Sequence, residues 1–422
     1  MSTNKTPFFK KIPNMSKNNI SFGNSVFGQL ISLMPKQKIR MIIKESGTDR
    51  YTKRFTTWDH LIVMLFSAFE VSNSLRELES GIVGFMQKLL HLGMSSFPKR
   101  STLSDANAKR NSEVFEKIFN AIYEHVRPFL PDSWPKNQQW MEKLFLVDST
   151  TITLFKEIMK SAGRTPANGK RKGGVKIHVG MHLSESVPSL VRITSAASSD
   201  KQFMHKFKNM EQDTILVFDK AYVNYKLYNH WSKTGVSFVT RLPSYSVVKV
   251  KEEKMVDEKN QAEGIYREQL IELGHKTQKE KVLCRLIFLH DIEKNRDIKF
   301  ITNNMKLESA QIAEIYKQRW QIELLFKRLK QNLQLSDFLG DNENAIRIQI
   351  WCNLIADLLL TVIRKGLKKK KAYSNVAGLI RIHLMSYVKI KDLLSTPGNP
   401  SIFSSNSDLS PYQTSLKLPI PP

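Results

Sequence analysis

Apolar positions recur at helical spacing through residues 25–130 and then give way to strand-like runs after Pro128, Pro131 and Pro135. Val26 to Ile43 carries the first helical pattern. Thr57 is placed to cap a helix through Trp58, Leu61, Val63, Leu65 and Phe69, and Ser74 to cap a short one, LRELESGI. Gly93 and Pro98 bracket a turn before Ser101 to Arg110, and Ser112 to Val126 reads as a long amphipathic helix. Residues 74–110 have the layout of a helix-turn-helix, in which Ser104, Asn107, Lys109 and Arg110 would face bases and phosphates. The same pattern also fits a small helical bundle that touches no base.

Beyond residue 140 the period changes. Leu144–Leu154, Gly173–Leu183 and Ser189–Ala196 read as three meandering strands. A helix over Lys201–Met210 follows, then a strand over Ile215–Tyr222, a helix over Asn224–Lys233 and a fifth strand over Val236–Leu242. That order predicts an α/β layer on a mixed five-stranded sheet, with right-handed crossovers after the meander. Residues 243–298 are charged and β-branched and read as a β-rich insertion. Lys299–Asn304 leads out of it, Glu308–Leu333 reads as one long helix, and residues 345–365 as an apolar one. The expected domains are therefore a polar arm (1–24), a helical N-terminal DNA-binding domain (25–135), an α/β domain (140–365) with its insertion (243–298), and a C-terminal helical segment and disordered tail (366–422).

Charge narrows the partners. The chain of 422 residues holds 65 Lys and Arg against 39 Asp and Glu, a net +26, which favours a polyanion. Basic clusters at Lys36/Lys38/Arg40, Lys53/Arg54, Lys170–Lys172, Lys327/Arg328/Lys330 and Lys368–Lys371 are spread along the chain and suit a long strip of duplex. Cys284 and Cys352 sit in apolar runs and exclude a disulfide framework or a thiolate zinc site. The first residues lack the apolar run of a secretory signal. Ile348–Ile363, broken by Gln349, Asn353 and Asp357, reads as too short and too polar to span a membrane. The expectation is a cytoplasmic, nucleoid-associated protein with no membrane partner.

The candidate chemistry lies in three acids. Asp148 closes the apolar run Leu144–Val147, and Asp219 closes Ile215–Phe218. Aspartate is a poor strand former, so two of them after buried runs are informative: on adjacent strands they could share a divalent cation. The third acid is in YKQRWQIELLFKRLK. There Tyr316, Arg319, Glu323, Lys327 and Lys330 fall within roughly an 80° arc of a helix, beside the apolar Ile315, Ile322, Leu325, Phe326, Leu329 and Leu333. Glu323 is thus set at the margin of the buried face, with Arg319 and Lys330 able to reach phosphates.

Tyr-x2-Arg-x3-Glu-x6-Lys, present as Tyr316, Arg319, Glu323 and Lys330, resembles the YREK signature of bacterial insertion-sequence transposases of family four. Asp219, Ala221 and Tyr222 resemble that family's second box, and Asp148, Ser149 and Thr150 its first. The resemblance covers roughly residues 140–365. It implies an RNase H-like (retroviral-integrase-like) core, a β-rich insertion before the Glu-bearing helix, and a DDE transposase that cleaves and transfers DNA strands at terminal inverted repeats. It further implies catalysis by Asp148, Asp219 and Glu323 with two Mg2+ ions, for which Mn2+ substitutes. DNA would be held by Tyr316, Arg319, Lys330, Lys327, Arg241 and Tyr222. The partners expected are the element's end repeats, target DNA and a second copy of the chain. Hairpin-forming relatives use an insertion tryptophan to hold a flipped base, yet no Trp lies between Trp231 and Trp320; Tyr245, Tyr266, Phe288 and Phe300 are the substitutes on offer.

Competing readings remain. His178 and His182 form an HxxxH pair that could take zinc, although the predicted strand disfavours it. Asp200 and Glu185 read as loop or cap residues. A catalytically silent or domesticated relative would keep DNA binding, and a basic RNA-binding scaffold would need none of the three acids.

Overall fold

The computed structural model describes residues 24–153, 174–196, 198, 200–274, 281–333, 335, 337–367 and 369–395. The expected N-terminal arm, the Lys170–Lys172 cluster, Lys368 and the tail beyond Ser395 lie outside the described residues.

Among the described residues seven α-helices precede the sheet: α1 (Val26–Ser32), α2 (Lys36–Ser46), α3 (Thr57–Glu70), α4 (Leu75–Val83), α5 (Met86–Leu90), α6 (Arg100–Lys109) and α7 (Glu113–Val126). The cap of α3 is Thr56, one residue earlier than the pattern suggests. Its hydroxyl accepts from the Asp59 N–H while the Asp59 carboxylate accepts from the Thr56 N–H, so two otherwise orphaned donors are satisfied together. Ser74 caps α4 as expected, accepting from the Glu77 N–H. On α6, Ser104 and Lys109 are exposed, but Asn107 is buried against His60, and Arg110 turns inward to donate to the backbone oxygens of Phe55 and Thr56. Two of the four side chains expected to face DNA are therefore spent on holding this helix in place.

The strands among the described residues form one sheet of nine, where five were expected. They are β1 (Leu144–Thr153), β2 (Gly174–His182), β3 (Leu190–Ser195), β4 (Ile215–Phe218), β5 (Ser237–Arg241), β6 (Val247–Lys254), β7 (Ile265–Gly274), β8 (Val282–Asp291) and β9 (Arg296–Thr302), in the spatial order β3-β2-β1-β4-β5-β9-β8-β7-β6. The five expected strands are contiguous in this order. The insertion extends them because β9 pairs antiparallel with β5, and β8, β7 and β6 add onto β9 in turn. The β1–β4 and β4–β5 pairs are parallel and the rest antiparallel. The predicted helix at 201–210 shrinks to α8 (Asp200–Phe203) and a 3-10 turn, followed by α9 (Tyr225–Thr234), while α10 (Glu258–Ala262) lies within the insertion.

The helix expected over 308–333 is two, α11 (Ser309–Lys317) and α12 (Trp320–Asn332), joined at Gln318 and Arg319. Through the joint the backbone pairs three residues back: Arg319 N–H to Tyr316 O, Gln321 to Gln318 and Ile322 to Arg319. This tighter winding re-aims the Arg319 side chain relative to a continuous helix. Behind α12 stands α13 (Glu343–Gly366), capped by Asn342 and packed on α3, α6 and α7. At 24 residues it is longer than the sequence pattern indicates and is long and apolar enough to cross a bilayer by length and composition, yet 94% of its apolar window is buried within the protein. Then come α14 (Tyr373–Ile382) and α15 (Ile390–Ser395). The N–H groups of Val26 and Phe27 donate to Ser386 and Leu384, so helices from both ends of the chain share one core with α13. Cys284 and Cys352 are buried free thiols, as their apolar surroundings suggest.

Candidate active site

Register brings the first two acids together. Val147 of β1 lies opposite Phe218 of parallel β4, so the next residue on each strand, Asp148 and Asp219, falls side by side. Val217 lies opposite Val239 of β5, which carries the same row on to Arg241, and Arg241 pairs with Phe300 of β9. Side chains in one row project from one face of the sheet. Asp148 is not at a strand end, as its place after an apolar run suggests: β1 continues to Thr153 against β2. What ends there is β4, and its loss opens the edge beside Asp148.

The third acid reaches this row through α12, whose apolar face (Ile322, Leu325, Phe326 and Leu329) is buried. Arg319 at the helix joint holds the cluster together. Its Nη1 donates to Asp148 Oδ2 at 2.6 Å and its Nη2 to Glu323 Oε1 at 2.5 Å. Arg241 Nη2 donates to Asp219 Oδ1 at 2.8 Å, and the Tyr316 hydroxyl reaches the same oxygen at 3.4 Å. The Tyr316 ring packs on Phe300 with centroids 5.1 Å apart and lies 5.8 Å from both guanidinium carbons. Lys330 Nζ donates to Thr150 Oγ1 at 2.9 Å. An open cleft runs between Asp148, Ser149 and Thr150 on one side and Glu323, Lys327 and Lys330 on the other.

The electrostatics follow from this packing. Burial pushes the Asp148 carboxyl up to about 6; the Ser149 N–H and Arg319 oppose the shift, and the negative charges of Asp219 and Glu323 add to it. Burial would also raise Asp219, but the Arg241 hydrogen bond, the Lys220 N–H and the charges of Arg241 and Arg319 outweigh it and hold Asp219 below the usual carboxylate range. Burial lowers Arg319, yet Asp148, Glu323 and Tyr316 together raise it.

Among the described residues no three His, Cys, Asp or Glu side chains lie close enough to share an ion as they stand. Within the cluster the Arg319 guanidinium sits between Asp148 and Glu323, with its buried Nε lacking a protein partner. A positive group therefore already occupies the space between oxygen donors of the kind that hard divalent cations prefer.

Other residues singled out in the sequence land differently. Tyr222, expected among the DNA contacts, is 1% exposed and points its hydroxyl at His178 Nδ1, 3.5 Å away. Its ring belongs to a buried apolar cluster with Phe203 and Phe218, away from the protein surface. Arg328, from the basic cluster, also turns inward. His178 and His182 share a face of β2; His178 packs on Phe203, and burial lowers its pKa to about 4, while His182 packs edge-on to Phe145. Asp200 is no mere cap: it accepts from Lys176 Nζ at 3.0 Å and from Ser149 Oγ at 3.2 Å, directly beside Asp148. Glu185 is buried and binds Tyr123 and Arg127, tying α7 to the sheet domain. Of the four insertion aromatics, Tyr245 and Tyr266 are exposed, whereas Phe288 and Phe300 are buried. The role of Phe300 beneath Tyr316 was not legible from spacing, because a register between distant strands creates it.

Comparison with known proteins adds an independent line. The family described as transposase DDE domain matches residues 139–359, a span that contains the whole row and α12. A domain of unknown function matches residues 22–95. A Sinorhizobium fredii protein that carries a transposase name is 31% identical over 270 residues, 63% of this chain and 71% of its own. A protein of Synechocystis, named for insertion sequence element IS4SA as its transposase, is 28% identical over 62% of this chain and 71% of its own length. One of Geobacillus stearothermophilus, named as the transposase for insertion sequence element IS5377, is 28% identical over 80% of this chain and 84% of its own.

Proposed function

The chain belongs to the transposase DDE-domain family and functions in DNA transposition, and from that premise we propose that Asp148, Asp219 and Glu323 are the residues with which it cleaves and rejoins DNA. The observation that carries this reading is the row Asp148–Asp219–Arg241, with Glu323 linked to it through Arg319. Asp148 and Glu323 line one open cleft in a strongly basic protein, and strand register sets Asp219 beside Asp148. The five contiguous strands from β3 to β5 form an RNase H-like core, of which the insertion is an extension.

Asp148, Asp219 and Glu323 would hold divalent metal, as two Mg2+ ions. When bound, such ions neutralise charge on the attacking and leaving oxygens of a phosphodiester and acidify bound water. Arg319, released from its two carboxylates, holds a backbone phosphate. Lys330, Lys327 and Arg241 hold neighbouring phosphates, and Tyr316 keeps both guanidiniums in line through its ring. Water attacks the phosphodiester at the element's end and frees its 3′-hydroxyl; that hydroxyl then attacks a target phosphodiester in line, joining to its phosphorus and expelling the target strand's 3′-oxygen, with no covalent link to the protein. The exposed outer side of α6, with Arg100, Ser104 and Lys109, suits the terminal repeat, and two copies of the chain bring two ends together. Transposases of family four, acting in the bacterial cytoplasm on the nucleoid, are the model for this reading.

A plasmid excision assay with Mg2+ tests it. Excision by the wild-type chain, abolished in Asp219→Ala and Glu323→Gln while binding of the end repeats persists, is the expected result. Unchanged excision in either variant would sink the assignment.

A further inference from the structure

The helix that presents Glu323 and Lys330 to the cleft carries a second guanidinium on its other side. Arg328 follows Glu323 by five residues, a rotation of about 140° around the helix axis, so the two side chains diverge. Arg328 Nε donates to Asp357 Oδ1 and Nη2 to Asp357 Oδ2, both at 2.8 Å. Nη2 also donates to the backbone oxygen of Ser186 at 2.7 Å, and the guanidinium lies 4.9 Å from the Tyr373 ring. Asp357 is fully buried in α13, Ser186 lies in the β2–β3 turn with φ of 60°, and Tyr373 opens α14. One side chain of α12 is thus gripped by three elements, none of which contributes an acid to the cleft.

Such a grip does something the apolar face of α12 cannot. Packed aliphatic side chains resist separation but tolerate small rotations about the helix axis. A planar fork on a carboxylate fixes direction as well as distance, because both hydrogen bonds are lost when the plane tilts. A group roughly 6 Å from the axis moves by about 2 Å when the helix turns by about 20°. Misplacement of about 1 Å at a reacting centre already costs on the order of 100-fold in rate.

We propose that Arg328 is a positioning residue for transposition: its fork on Asp357 sets the rotation of α12 that aims Glu323 and Lys330 at β1. The inference rests on the assignment of Glu323 to catalysis. It gives Arg328 of the KRLK run a task unlike that of Lys327 and Lys330, which line the cleft.

The test separates positioning from stability. A buried ion pair replaced on both sides by apolar residues is often neutral or stabilising, so the double variant Arg328→Met/Asp357→Leu is made in the full chain. It is expected to melt near the wild type and bind end-repeat DNA within about threefold, yet to excise at least 30-fold more slowly, as misaimed catalytic groups require. Arg328→Lys keeps the charge but cannot fork; it is expected to fold, to excise about tenfold more slowly and to regain part of that loss as Mn2+ is raised. A folded double variant with excision within about threefold of wild type overturns the proposal. Should the double variant not fold, Arg328→Lys with wild-type excision at every Mn2+ concentration overturns it instead. Glu323→Gln, run in parallel, distinguishes the two failures. Excision that survives in Glu323→Gln removes the premise, whereas an inactive Glu323→Gln beside an active double variant removes the clamp alone.

Discussion

Replacing Arg319 by Gln separates two roles that one side chain plays. Without DNA or metal the guanidinium neutralises Asp148 and Glu323 at 2.6 and 2.5 Å. Each charge-assisted bond of this kind contributes roughly 1.5–3 kcal/mol. The side chains of Arg319 and Asp148 are 16% exposed and that of Glu323 34%, so solvent screens part of the interaction, and about 2 kcal/mol is a fair net loss. For a domain of about 200 residues that lowers the melting temperature by roughly 4–8 °C in EDTA. Metal reverses the comparison. In the wild type an incoming cation must displace the guanidinium; in Arg319→Gln it meets free carboxylates. The same 2 kcal/mol then becomes about a 30-fold tighter dissociation constant for Mn2+ in the variant. Titration calorimetry with Mn2+ and no DNA, beside melting curves with and without EDTA, reads both quantities. Excision falls despite tighter metal binding, since the phosphate contact is lost. A variant that melts like the wild type in EDTA and binds Mn2+ no more tightly would refute the stand-in role of Arg319.

Other perturbations probe the remaining claims. Tyr222→Phe removes a buried hydroxyl 3.5 Å from His178 and should cost about 1 kcal/mol in thermal melting, while DNA affinity by fluorescence anisotropy stays within about twofold. A larger fall in affinity would restore Tyr222 to the DNA-contacting set. Lys330→Met frees Thr150 and removes a cleft cation; excision and the salt dependence of end binding should both drop, the salt slope by about one unit. His60 is buried and neutral, its pKa lowered to about 3 by burial and then by Arg110, against the opposing Asn107 bond. The folded pKa is depressed, so the full stability is present above pH 6.5. It is lost by about 1.4 kcal/mol per pH unit as pH falls from 6.5 toward 3, where the unfolded chain alone takes up the proton. Melting curves across pH 5–7 should flatten in His60→Leu, and an unchanged slope would refute this origin.

Much of the site could be read from the chain because it is built from local features. Apolar runs closed by Asp single out Asp148 and Asp219, although only the strand before Asp219 ends there, and the seven-residue spacing of Glu323 and Lys330 sets both on one face of α12. The apolar partners of that face, Ile315, Ile322, Leu325, Phe326, Leu329 and Leu333, are all buried. The inward turn of Asn107, Arg110, Tyr222 and Arg328 was not legible, because a polar side chain reads the same whether it meets water or a buried partner far along the chain.

By itself the sequence determined most of the alternation of strands and helices and singled out the three acids as candidates, since periodicity and propensity act over a few residues. Tertiary structure alone decided that the insertion continues the sheet as strands six to nine, that Asp148 stands opposite Asp219 with Arg241 next in the row, and that Arg319 lies between two carboxylates. Those outcomes depend on strand register and on the joint at Gln318 and Arg319, where pairing between distant segments outweighs local preference.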